Sequence, residues 1–92
     1  MTIFAQMAEK IIAEQETIIG PIALEQARKV PGLKVDWQKH EISIDGNEKE
    51  TIEKLVEQYE HLFGRASIEA CKEAVHGIIS QVPVDQIPSL LR

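Results

Sequence analysis

Apolar positions recur at three-and-four spacing through most of this chain and switch to strict alternation only once. The most regular stretch is Asn47 to Phe63. There Ile52, Leu55, Val56, Tyr59, Leu62 and Phe63 fall on one stripe of a 3.6-residue helix. Asn47 is placed to cap its first turn, and Glu50 three residues on completes a capping-box pattern. Gly64 supplies the left-handed stop. This amphipathic helix is the natural floor for the other elements to pack on.

Upstream, Thr2 is placed to cap a first helix running to about Ile19. Its buried face is Phe4, Met7, Ala8, Ile11, Ile12, Ile18 and Ile19, interrupted by Gln15. Gly20-Pro21 breaks it. Proline suits the first position of a second helix, where its missing amide proton has no intrahelical acceptor anyway. That helix runs from Ile22 to about Lys29 and ends at Pro31-Gly32, so the two form a helical hairpin.

From Leu33 to Asp45 the period falls to two. Leu33, Val35 and Trp37 alternate on odd numbers and Ile42 and Ile44 on even ones, which no single straight strand places on one face. A turn at Lys39-His40, or a slightly longer loop, resolves this by setting Trp37 opposite Ile42 and Val35 opposite Ile44. Asp45-Gly46 is the exit turn. After Gly64, Arg65-Ala66 connects to a fourth helix, capped by Ser67 and running to about Ser80, with Ile68, Cys71, Val75, Ile78 and Ile79 as its stripe. The tail from Val82 to Arg92 is too apolar for a solvated linker; Asp85 and Pro88 mark one last helical turn. No internal repeat is visible. The expected fold is α+β, mainly α, in a single small domain over residues 1–92: a two-helix hairpin, a short antiparallel β-hairpin, two further helices and a packed C-terminal tail.

Composition narrows the function classes. At 92 residues the chain affords one modest core, built from aliphatic side chains because aromatic residues are only 4%. A net charge of −5 argues against a sequence-independent grip on nucleic acid and against an anionic membrane surface. No run approaches the roughly 20 apolar residues of a membrane span. Cys71 is the lone cysteine, so no internal disulfide forms. Glu9, Lys10 and Glu14 interrupt the N-terminal apolar pattern, unlike a secretory signal. These features together read as a cytoplasmic protein.

The search for chemistry finds little. The glycines are punctuation and make no phosphate-cradling loop. Cys71 beside His61 or His76 would be the nucleophile candidate of an enzyme-like or ligand-binding domain. Helix geometry turns Cys71 and His76 about 140° apart, which favours an inert buried thiol. Glu50, Glu53, Glu57 and Glu60 share the solvent side of the Asn47–Phe63 helix, but no inward Glu-x-x-His pairs accompany them as a di-metal bundle requires. Glu50 with Lys54 and Glu57 with His61 are better read as surface pairs. No cofactor, metal or catalytic set is expected.

Interaction surfaces remain. A two-stranded ribbon has open edges, and Trp37 on it is either core cover or an interface anchor. The candidate interface is Trp37, Ile42 and Ile44 on the ribbon, Glu53, Glu57 and Glu60 on the acidic face, and Ile87, Leu90 and Leu91 in the tail. Two segments, Ile18-Ile19-Gly20-Pro21-Ile22-Ala23, opening a helix that ends Arg28-Lys29-Val30-Pro31, and Tyr59-Glu60-His61-Leu62-Phe63-Gly64-Arg65-Ala66-Ser67, resemble small uncharacterised helical modules of bacteria such as cyanobacteria, some attached to signalling proteins. The resemblance covers about half the chain and implies an accessory or regulatory role, with no catalytic residue to carry over. The expectation is a non-catalytic protein-interaction module that self-associates as a homodimer through its hairpin and apolar helix surfaces. The alternative is the Cys71–histidine domain.

Overall fold

Thr2 and Asn47 start the two long helices and set the frame of the molecule. In the computed structural model, which describes residues 1–92, α1 runs Ile3–Ile19 and α3 runs Glu48–Phe63. Thr2 Oγ1 accepts from the Ala5 N–H at 3.1 Å, and Asn47 Oδ1 accepts from the Glu50 N–H at 2.8 Å. Each satisfies an otherwise orphaned amide of a first helical turn. Thr2 Oγ1 also donates to Glu48 Oε2 at 2.7 Å, tying the two helix starts together. The reciprocal half of the capping box is not made: the Glu50 carboxylate pairs instead with Lys54 at 3.5 Å.

Between them lie α2 (Ile22–Ala27), β1 (Leu33–Asp36) and β2 (Glu41–Ile44), and α4 (Arg65–Val75) follows α3. The fold is therefore α+β, mainly α, with a two-stranded hairpin. α1 packs on α2, α3, α4 and β2, so it shares the central place that the pattern gave to α3 alone. One core joins them, with Met7, Ile11, Ile12, Ile52, Leu55, Val56 and Tyr59 wholly enclosed.

Several boundaries differ from expectation. α2 stops at Ala27 and unwinds through turns that bring Val30 into the core, because the residue before Pro31 disfavours helical geometry. The hairpin pairs Leu33 with Ile44 and Val35 with Ile42, two residues from the expected register. A shift of two keeps every side chain on its face, so the apolar pattern is satisfied equally by both. The loop decides: Asp36 Oδ1 accepts from the Lys39 N–H at 3.4 Å, the His40 N–H bonds to the Trp37 carbonyl at 3.2 Å, and His40 takes φ 51°.

At the α3–α4 corner no connecting loop exists. Gly64 (φ 81°) closes α3 by donating to the Glu60 carbonyl at 2.7 Å, and α4 begins at the next residue. Ser67 is thus a buried residue inside α4 and not its cap. α4 ends at Val75 and not near Ser80; Gly77 lies where the helix would continue, and glycine there is costly. The tail makes three 3-10 turns, Ile79–Gln81, Val84–Gln86 and Ser89–Leu91, in place of one helical turn. Pro83 and Pro88, both extended, each set up the turn that follows.

The α1–α2 corner is built like the α3–α4 corner. Gly20 (φ 78°) donates to the Glu16 carbonyl at 2.8 Å, as Gly64 does to Glu60. The segments Glu16-Thr17-Ile18-Ile19-Gly20 and Glu60-His61-Leu62-Phe63-Gly64 share one pattern of acid, polar residue, two apolar residues and glycine. It is one local corner pattern used twice, short of an internal repeat.

Candidate functional site

The side chains singled out for nucleophilic chemistry do not converge. Cys71 is wholly buried, and its Sγ accepts from Gln15 Nε2 at 3.4 Å. The same Nε2 donates to the Ser67 carbonyl at 3.1 Å. Gln15 therefore does not merely interrupt the α1 stripe; it satisfies polar atoms inside the core. Burial pushes the thiol up to about 11, against a smaller opposing pull from the Gln15 hydrogen bond. His61 and His76 are exposed, and neither hydrogen-bonds to Cys71. No group of three His, Cys, Asp or Glu side chains is placed to hold a metal ion. No helix is long and apolar enough to cross a membrane.

The expected interface residues divide between core and surface. Ile42 is buried and Ile44 half-buried on the inner face of the hairpin, so neither forms an outward docking face. Trp37 is half-buried against the core edge, its ring 4.6 Å from the His40 ring. Leu91 is buried, and Ile87 and Leu90 pack partly against the core. The tail is a strap over α3 and α4: Glu53 Oε1 accepts from Ser89 Oγ at 2.7 Å and from the Leu90 N–H at 3.2 Å, and Lys49 Nζ donates to the Asp85 carbonyl at 3.0 Å. Glu53 thus holds the strap. Glu57 and Glu60 remain available and line an open groove of about 870 Å³ with Lys29, Lys54, His61 and Leu90. Its mixed charge and its shared wall with the strap make it a seam between elements more than a selective acidic face.

Besides Met1 and Val84, the large apolar side chains that stand out of the core all lie at the two glycine corners. Ile18 is 58% exposed, Leu62 46%, Phe63 38% and Ile22 37%. Leu62 and Phe63 do continue the apolar stripe of α3, but α4 leaves at Gly64 and the last turn is covered only in part. Ile18 is uncovered for the same reason at Gly20. The corners lie at one end of the molecule. Tyr59 Oη, one turn before Phe63, donates to the carbonyl of Ala23, next to Ile22, at 2.6 Å. Gln15, one turn before Ile18 and Ile19, reaches Ser67 at the start of α4. The signal for this patch was present as two apolar residues immediately before a glycine that starts a new helix. Periodicity shows which side chains share a stripe; it does not show where the covering element stops.

Compared with protein families, with curated proteins and with solved structures, the chain matches none of them.

Proposed function

We propose that this chain is a non-catalytic protein-interaction module that docks through its two-corner apolar end. The observation that carries the reading is the exposure of Ile18, Ile22, Leu62 and Phe63 at a single end, in a chain whose other large apolar side chains mostly join the core. Apolar side chains gathered at one end and rimmed by polar residues are a feature of interaction sites. The rim supplies Glu16, Glu25, Glu60 and Arg65, none of them in an ion pair within the chain. The hairpin is the weaker candidate, since its apolar face is turned inward and each strand is only four residues long.

Site-specific photo-crosslinking tests this. A crosslinking amino acid at position 63, in extract of cells expressing the chain, is expected to give one discrete adduct, and the same group at exposed position 73 none. Equal labelling from both positions, or none from either, would contradict the reading. An adduct of twice the chain mass would identify a second copy as the occupant.

A further inference from the structure

We infer that Asp45-Gly46, the turn between β2 and α3, is a site of spontaneous main-chain modification, where the aspartate converts to isoaspartate in the folded protein. The only co-reactant is water. The Gly46 amide nitrogen attacks Asp45 Cγ, a C–N bond forms and one water leaves, closing a five-membered succinimide. Water then adds at the former Asp45 carbonyl carbon and breaks its bond to the Gly46 nitrogen. The chain now runs through the side-chain carboxyl, with one extra methylene in the main chain and its mass unchanged. The step is favoured by a carboxyl in solvent, a following amide that no hydrogen bond holds, and no side chain on the following residue to crowd the ring.

Asp45 meets all three conditions. It is exposed, and its carboxylate pairs with Lys34 Nζ at 3.0 Å in a solvent-facing arrangement that holds weakly. The Gly46 N–H makes no hydrogen bond within the chain, its φ is 89°, and nothing lies within 4 Å of where a Cβ would sit. The other candidates each fail. Asp36 precedes Trp37, and its Oδ1 accepts from the Lys39 N–H at 3.4 Å. Asp85 precedes Gln86, whose N–H donates to the Pro83 carbonyl at 2.8 Å. Asn47 precedes Glu48, and its Oδ1 accepts from the Glu50 N–H at 2.8 Å. The turn is tight on its other side. The Asp45 N–H donates to the Gly32 carbonyl at 2.8 Å, and the Asp45 carbonyl oxygen lies 2.7 Å from where a Gly32 Cβ would sit. Isomerisation makes that carbonyl a free carboxylate and lengthens the chain two residues before the Asn47 cap, so the hairpin base and the start of α3 lose their fit.

The test is incubation of the full, folded chain for weeks at mildly acidic to neutral pH, followed by peptide mapping with electron-transfer fragmentation, which distinguishes isoaspartate from aspartate. Isoaspartate should accumulate at position 45, through a species one water lighter, and not at positions 36 or 85. Asp45→Glu keeps the charge facing Lys34 but would need a six-membered ring, so it should abolish the modification. Asp45→Asn should lose ammonia at position 45 while Asn47 stays intact. Both positions of the turn are exposed, and unchanged melting of each fresh variant shows that folding is intact. The aged protein should melt below the fresh one, and aged Asp45→Glu should not. Isoaspartate that forms in the urea-unfolded chain and is absent from the folded one overturns the inference. So does equal accumulation at positions 36 and 85, or an isomerised chain that melts as the fresh one does.

Discussion

Gln15 illustrates how a polar side chain earns a place in an aliphatic core. It is buried and donates to both the Ser67 carbonyl and the Cys71 thiol. Gln15→Leu would remove the side-chain donor both acceptors share, while the Ser67 carbonyl keeps its partner within α4, at a cost of about 1 kcal/mol readable by urea denaturation. The thiol gives a pH signature. Its folded value, near 11, lies above that of an exposed thiol, so the unfolded chain releases the proton first as pH rises. Stability is therefore full below pH of about 8.5 and declines toward pH 11, by on the order of 2–3 kcal/mol from this group. Burial also pushes the Tyr59 phenol upward, which steepens the decline at the alkaline end. Cys71→Ala should flatten the profile; an unchanged slope would mean that the thiol is not the source. Gly32 is the backbone counterpart. With φ at +83° and the Asp45 carbonyl oxygen 2.7 Å from where a Cβ would sit, Gly32→Ala should cost at least about 2 kcal/mol in thermal or urea unfolding.

At the scale of elements, the legible parts are those whose signal is local. Thr2 and Asn47 cap as their side-chain chemistry requires, and Gly64 stops α3 with φ 81° and ψ −168°, outside the αL geometry expected but equally a conformation for glycine. Asn47→Ala should cost about 1 kcal/mol in urea unfolding, a loss that a serine at the same position would largely avoid. The hairpin register was not legible because two pairings a pair of residues apart serve the apolar face equally. The choice rests on the Asp36 turn and the Trp37–His40 packing, which alternation does not encode. The tail's elements were half-legible. Pro83 and Pro88 mark the turns they precede, but the anchoring of Ser89 and Leu90 by Glu53 depends on a residue 36 positions away from Ser89. Glu53→Ala should loosen the strap and cost about 1–2 kcal/mol, with hydrogen exchange at residues 84–91 speeding up more than in α1. Uniform acceleration through both regions would argue that Glu53 acts on the whole fold instead.

At the scale of the molecule, two helix–glycine–helix corners meet at one end and leave the continuation of two core stripes only partly covered. This is also why the candidate site was only partly legible. Leu62 and Phe63 could be placed on a stripe, whereas the absence of a cover could be read only from where α4 departs. Substitution there separates binding from folding: Ile18→Ser, at a position 58% exposed, should cost less than about 1 kcal/mol, whereas Ile52→Ala in the core should cost about 2–5 kcal/mol. The most direct measurement of the central claim is crosslinking read position by position on the full chain in extract of cells that express it. The account predicts adducts from positions 18, 22, 62 and 63 and none from positions 34, 43, 73 or 84. Adducts centred on the hairpin or the strap, or none from any position, would contradict docking through the two-corner end.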